Sequence, residues 1–302
     1  MKNEIDRERR KFLRTAFIMS SAVALRVENE SNGEISNEKK NSLGVLMDIP
    51  LCIGCGECEK ACRETHNLIS YSRSINTPSP EGFKWLDEKN LTVINRFEFK
   101  CEKKNDCNST AFVKFQCMHC LYPSCVSACP VGALTKADNG AVIYDKKRCI
   151  GCRYCMIACP FQVPAYEYNV ALKPQVRKCD FCFDLLSRGK PPACVSACPM
   201  EALAFDERRK LLAYSHRRLC KKSRNYVKKV YGENEVGGTS FLYISHVPFE
   251  KSGFLTLSET PPSKLSEKIQ HSIFKYFSGP VGLFSLLAVA SFIFSRLGRK
   301  TE

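Results

Sequence analysis

The sequence predicts an α+β fold: short strands and helices wrap two nested copies of a cysteine-rich module, and one helix crosses a membrane at the C-terminus. Three observations predict it. Sixteen of the 19 cysteines fall into four groups of four. The decapeptide CVSACPVGAL at 125–134 returns as CVSACPMEAL at 194–203, with eight of ten letters unchanged. Residues 276–295 are twenty in a row without a charge.

The chain has 302 residues, 44% hydrophobic and 25% charged, so most of it should be globular. Small secreted proteins reach high cysteine densities because they lack a core. A chain of this length can build a core, which favours a metal framework over disulfide staples.

The N-terminus carries RERRKFLRTAFIMSSAVAL. A basic stretch, a short apolar run and the small residues Ala22-Val23-Ala24 predict a signal peptide over 1–25. Arg9 and Arg10, followed by Phe12 and Leu13, point to the twin-arginine route. That route carries folded proteins and suits a chain that acquires its cofactors in the cytoplasm first. A polar linker is expected over 26–42.

Group one is Cys52, Cys55, Cys58 and Cys62; group three is Cys149, Cys152, Cys155 and Cys159. Both have C-x2-C-x2-C-x3-C spacing, the bacterial ferredoxin run for [4Fe-4S] clusters. Group two is Cys117, Cys120, Cys125 and Cys129, and group four is Cys179, Cys182, Cys194 and Cys198. In this geometry the first three cysteines share a tight loop. The fourth is expected to open a short helix and to serve a partner cluster. Pro130, Pro160 and Pro199 follow three of the fourth cysteines and turn the chain away. Gly54 and Gly151 precede second cysteines, where positive φ or close approach is expected. The decapeptide is thus the closing half of two motifs, each running into a strand (ALTK, ALAF).

Zinc ribbons pair C-x-x-C knuckles across a long loop, unlike these near-triplets. C-x-x-C neighbours make poor structural disulfides. A zinc- or disulfide-stabilised structural protein is the alternative of another class, and it predicts a colourless, redox-silent protein. Cys101 and Cys107 lie in CEKKNDC and either pair locally or stay as free thiols; Cys220 is read as non-functional.

The formal charge of +15 would suggest an anionic partner. Each [4Fe-4S] core with its four thiolates carries −2, so four of them bring +15 to about +7. The excess therefore balances clusters, and no nucleic-acid partner is expected.

The expected membrane helix, 276–295, is bounded by Lys275 and Arg296, with Tyr276 and Phe277 as interfacial aromatics. Arg296, Arg299 and Lys300 would place the tail in the cytoplasm. The expectation is a bacterial inner-membrane protein with a single pass, the globular part in the periplasm and the C-terminus cytoplasmic.

The sequence resembles the four-cluster, ferredoxin-like electron-transfer subunits of bacterial respiratory oxidoreductases, most of all the iron–sulfur subunits of membrane-bound hydrogenase-2. LGVLMDIPLCIGCGECEKAC, QCMHCLYPSCVSACPVGAL, YDKKRCIGCRYCMIACPFQVPAYEYN and YGENEVGGTSFLYISHVPFE carry the likeness. It covers most of 43–297 and is weakest in 66–110 and 205–230. The resemblance implies four [4Fe-4S] clusters. One would take Cys52, Cys55, Cys58 and Cys198, and its neighbour Cys179, Cys182, Cys194 and Cys62. The inner pair would take Cys117, Cys120 and Cys125 with Cys159, and Cys149, Cys152 and Cys155 with Cys129. Arg63 stands where the family pattern has proline. The implied role is non-catalytic: electrons pass between a periplasmic partner and an integral membrane, quinone-handling subunit. Hydrogenase small and large subunits are the first choice of catalytic partner. A molybdenum enzyme, a nitrite reductase or a sulfur-respiring complex would use a similar wire.

His119, between two ligand cysteines, is expected to be a solvent-facing loop residue rather than a hydrogen-bond partner of a cluster. Trp85 and Phe83 are expected to pack within the insertion between groups one and two. The cationic stretches at 208–210 and 217–229 read as a solvated helix face or a lipid-headgroup contact. The body spans 43–204, with AVIYD as one short strand. An extension follows over 205–273, with LLAYS and TSFLYISHV as strand-like pieces. Without clusters the chain should be poorly folded.

Overall fold

A computed structural model describes residues 42–68, 82–100, 108–221 and 226–264, with isolated helical positions at 269, 283, 284, 287 and 291. Residues 1–42 and 43–302 form separate units, and the strands and helices of the described residues lie in the second. The twin-arginine segment and the loop with Cys101 and Cys107 lie outside the described residues.

In chain order the strands are β1 (Leu43–Asp48), β2 (Thr92–Lys100), β3 (Asn108–Gln116), β4 (Leu134–Lys136), β5 (Val142–Tyr144), β6 (Ala165–Tyr166), β7 (Val176–Arg177), β8 (Leu203–Glu207) and β9 (Phe241–Ile244). The helices are α1 (Glu57–Thr65), α2 (Ser124–Ser127), α3 (Tyr154–Ala158), α4 (Phe183–Ser187), α5 (Ala193–Ser196) and α6 (Arg208–Lys221). The strands after groups two and four and the AVIYD strand stand where the sequence placed them.

One three-stranded sheet organises the rest. β1 lies at its centre, antiparallel to β8 and parallel to β9. A strand covered on both faces reads as a near-continuous apolar run, and Val45, Leu46 and Met47 supply it at the centre of β1. Val45 and Met47 join Phe241 and Tyr243 in the core beside the cysteines. Leu46 joins Leu242 and Ile244 on the opposite face, against Leu211 and Leu219 of α6. The sheet is therefore a wall between the cysteine-bearing loops and one long helix.

LLAYS is a correction: residues 211–215 belong to α6, not to a strand. The buried residues of α6 are Leu211, Ser215 and Leu219, four apart, which is helical spacing. The basic stretches are not merely solvated either. Arg208 donates to the carbonyls of Thr239 (2.7 Å) and Glu233 (2.8 Å). Arg218 pairs with the buried Asp48 at 2.5 Å, and the Tyr226 hydroxyl donates to the same carboxylate at 2.9 Å.

The long hairpin β2–β3 occupies the insertion between groups one and two. Phe83 packs edge-on against Phe97 and Phe115, and Trp85 meets Phe83 edge-on as well but stays 63% exposed. Two shorter hairpins, β4–β5 and β6–β7, flank group three.

The membrane expectation is also corrected. The span 276–295 lies almost wholly outside the described residues. Among the described residues no helix is long and apolar enough to cross a membrane. A span needs about 20 apolar residues in one helix. The longest helix described in full, α6, has 14 residues and is rich in arginine and lysine. The single-pass anchor and the location built on it are therefore not supported.

Leu242 is fully buried in the wall. Leu242→Ala should cost about 2–5 kcal/mol, read as a lower denaturation midpoint. Leu255→Ala, at a site 44% exposed, should stay within about 0.5 kcal/mol of the parent.

Candidate metal centre

The four cysteine groups share one backbone device. The residue before the second cysteine has positive φ in every group: Gly54 at 73°, His119 at 45°, Gly151 at 71° and Phe181 at 66°. A left-handed residue there folds the loop back, so that its thiols converge and its N–H groups face a common anion. Gly54 has a further reason to be glycine, because a Cβ would collide with the Phe112 ring. The sequence reading found the two glycines and missed His119 and Phe181. Their position within the repeat was the available signal.

Backbone N–H groups reach the sulfurs at matching places. Gly151 donates to Cys149 Sγ and Phe181 to Cys179 Sγ, each at 3.4 Å. Gly54 bonds Cys52 in the same way. In the closing halves, proline is followed by a second left-handed residue: Gly132 at 60°, Gln162 at 54° and Glu201 at 49°. This turn brings the next N–H back to the fourth cysteine. Ala133 donates to Cys129 Sγ at 3.2 Å, Ala202 to Cys198 Sγ at 3.3 Å, and Val163 to Cys159. The repeated decapeptide is a loop that wraps its last cysteine in its own backbone.

The helices differ from expectation. The third cysteine of every group lies in a short helix, Cys58 in α1, Cys125 in α2, Cys155 in α3 and Cys194 in α5, while the fourth opens no helix: Cys129, Cys159 and Cys198 follow theirs and Cys62 lies inside α1. Left-handed Gly56 and Arg153 begin two of these helices just ahead of the cysteine. Group one alone continues as helix through Cys62 to Thr65. Proline at position 63 would break that helix, which explains Arg63.

Packing of α1 on α5 brings groups one and four together, and packing of α2 on α3 joins groups two and three. Cys52, Cys55, Cys58 and Cys198 ring one cavity, with Pro199, Met200 and Lys114. Cys129, Cys149, Cys152 and Cys155 ring a second. Between them, Cys62 has Cys194 and Cys182 as neighbours, and Cys179 has Cys62 and Cys182. Cys120 has Cys117, Cys159 and Cys125. Three further pairs join one set to the next: Cys58 with Cys194, Cys179 with Cys117, and Cys125 with Cys155. The sets thus form a row of four.

Burial first, and neighbouring cysteines second, hold these thiols protonated. It pushes Cys58, Cys62 and Cys125 up to about 12, and Cys155, Cys159 and Cys182 up to about 11. Mostly buried thiols that converge in fours, with backbone N–H donors in every set, suit a thiolate-binding metal group whose charge replaces the protons. No described cysteine is in a disulfide. Cys220 is free and exposed near the end of α6.

His119 corrects an expectation. It is fully buried and stacks on Phe181 with ring centroids 4.8 Å apart. Its Nδ1 accepts the Val142 N–H at 2.9 Å, so Nε2 carries the proton. That Nε2–H has no protein partner among the described residues, an orphaned donor between two cysteines. Burial, then Lys178, Lys136 and Lys114, hold its pKa well below the usual histidine value. His66, read as having no ligand spacing, stands 3.6 Å from Cys182 Sγ and 3.4 Å from Asp180.

A family model for a 4Fe-4S dicluster domain matches residues 108–208. A protein of Nitratidesulfovibrio vulgaris is 43% identical over 215 residues, covering 71% of this chain and 57% of that one. Hydrogenase-2 operon protein HybA of Escherichia coli O157:H7 is 34% identical over 284 residues, covering 82% of this chain and 83% of its own. The formate dehydrogenase iron–sulfur subunit of Haemophilus influenzae is 31% identical over 262 residues, covering 85% and 82%. The donor set accommodates four [4Fe-4S] clusters.

Gly54→Ala should forfeit one cluster, about four irons per chain, through the Phe112 collision and the left-handed backbone. Gly132→Ala, equally left-handed but with nothing within 4 Å of its Cβ, meets only the backbone strain of about 1–2 kcal/mol and should retain all of them. Iron analysis of protein purified without air distinguishes the two.

Proposed function

This chain belongs to the family of 4Fe-4S dicluster electron-transfer subunits of oxidoreductase complexes, and from that premise we propose that it is the four-cluster wire between a nickel–iron hydrogenase and a quinone-handling subunit. The single observation that carries the reading is the row of four cysteine sets. Its two ends open to the surface, at exposed Cys55 and exposed Cys152. The family role supports electron transfer, and HybA's name supports hydrogenase as the partner.

The ligand sets we propose are Cys52, Cys55, Cys58 and Cys198; Cys62, Cys179, Cys182 and Cys194; Cys117, Cys120, Cys125 and Cys159; and Cys129, Cys149, Cys152 and Cys155. Bound clusters supply one-electron carriers. The chain's residues do the rest: thiolates ligate, backbone N–H groups stabilise the anionic sulfurs, and the apolar wall of β1 excludes water. Exposed Ile53 and Met200 border the first site, and exposed Val131 and Ile150 border the fourth. Apolar rims of this kind suit partner docking at each end. The chain holds no substrate chemistry of its own.

The formate dehydrogenase relatives favour a second reading, in which the same wire serves a molybdenum enzyme. Purification of the tagged chain from detergent-solubilised cells without air separates the two. The expected result is about sixteen irons per chain, with hydrogenase subunits and a quinone-handling protein in the same fraction. A formate dehydrogenase in their place would change the reaction and keep the wire. Zinc, or no metal, would overturn the clusters. Cys198→Ser should disturb the spectrum of the cluster held by Cys52, Cys55 and Cys58; disturbance of the group-four cluster instead would refute the crossed pairing.

A further inference from the structure

Two lysines are buried inside the row of cysteine sets, and the electron-transfer role does not by itself account for them. Lys114, on β3, is 2% exposed, and Lys178 is 7% exposed. Lys114 lines the cavity ringed by Cys52, Cys55, Cys58 and Cys198. Its ammonium donates to Gln116 Oε1 at 2.8 Å and lies 5.4 Å from the Phe241 ring centroid. Gln116 Nε2 donates to the Tyr243 hydroxyl at 2.5 Å, and that hydroxyl donates to the Lys114 carbonyl at 3.0 Å. The side chain is thus held by neutral groups. Lys178 Nζ donates to the carbonyls of Val142 and Cys179 and stands 3.9 Å from Cys117 Sγ.

No carboxylate pairs with either ammonium among the described residues. A buried cation without a counter-charge is strongly disfavoured. The nearby groups that can carry negative charge are the cysteines. Burial alone would lower Lys114, but Cys194 and Cys58 outweigh it and raise its pKa. Lys114 therefore sits at the seam between the first and second sets, and Lys178 at the seam between the second and third. The fourth set differs: the cation lining its cavity, Arg153, is exposed to solvent, which screens its charge, and no buried lysine stands beside Cys155.

Resting on the ligand sets proposed above, we infer that Lys114 and Lys178 are positioning residues that set a step in reduction potential along the wire. Each places one fixed positive charge at a seam. Reduction adds one electron to an already anionic centre. A nearby cation stabilises the reduced form more than the oxidised form, so it raises the potential. The three sets that flank the lysines are held higher than the set of Cys129, Cys149, Cys152 and Cys155.

The test is a redox titration of the anaerobically purified full chain, followed by electron paramagnetic resonance. Lys114→Met should shift the reduction equilibrium of the first two clusters at least about tenfold toward the oxidised form, about 59 mV for a one-electron couple. The fourth cluster should not move. Lys178→Met should do the same to the second and third. Lys114→Arg and Lys178→Arg keep the charge and should restore most of each shift, which a purely structural role would not require. Potentials unmoved in a Met variant that retains its iron overturn the inference while leaving the ligand reading intact. Wild-type protein without clusters overturns both. Unmutated protein labelled with 15N-lysine covers the case in which a Met variant fails to assemble. Pulsed resonance of its reduced clusters should detect a weakly coupled 15N, and absence of that coupling counts against the inference.

Discussion

The whole arrangement depends on keeping anionic sulfur inside a protein. With the ligand sets proposed above, sixteen thiolates around four clusters form a line of negative charge that is buried except at its ends, and a low-dielectric interior tolerates such charge only when it is met by donors and cations. The chain meets it in two ways. Left-handed residues at repeated positions bend the backbone so that N–H groups face sulfur. Buried ammonium groups stand at two of the seams. Few carboxylates approach the row; Asp180, paired with His66 beside Cys182, is one that does.

The sheet has a different task. β1 is buried on both faces, and its alternate residues serve two cores at once. One face closes the space around the cysteines, and the other seats α6. β3 lends Lys114 to the interior, and β9 lends Tyr243, whose hydroxyl helps to hold that lysine through Gln116. Strands that carry no cysteine therefore still build the surroundings of the metal centre.

Much of the site was legible because metal ligation is a local constraint. Three thiols on one tight loop must come from close positions in sequence, so C-x-x-C-x-x-C spacing announces itself. The proline after Cys129, Cys159 and Cys198 and the glycines before Cys55 and Cys152 are local for the same reason. Arg63 was legible as a departure but not explained, since its cause is the length of α1. LLAYS was misread because five residues of mixed polarity fit either period, and only Leu219 further along reveals the helical spacing. The uncharged stretch at 276–295 satisfied composition rules for a membrane span, yet no described helix has the length and apolarity to cross a bilayer.

Sequence by itself determined the cofactor class, the four groups and the strands that follow the closing cysteines, because each depends on residues a few positions apart. Tertiary structure decided what lies between groups. It buried His119 in the interior instead of on a loop surface, through stacking on Phe181 from 62 residues away in sequence. It turned two lysines that belong to no motif into buried charges, and Arg218 into the partner of Asp48. Such placements come from packing between distant segments, where burial changes the energy of a charge far more than its neighbours in sequence can.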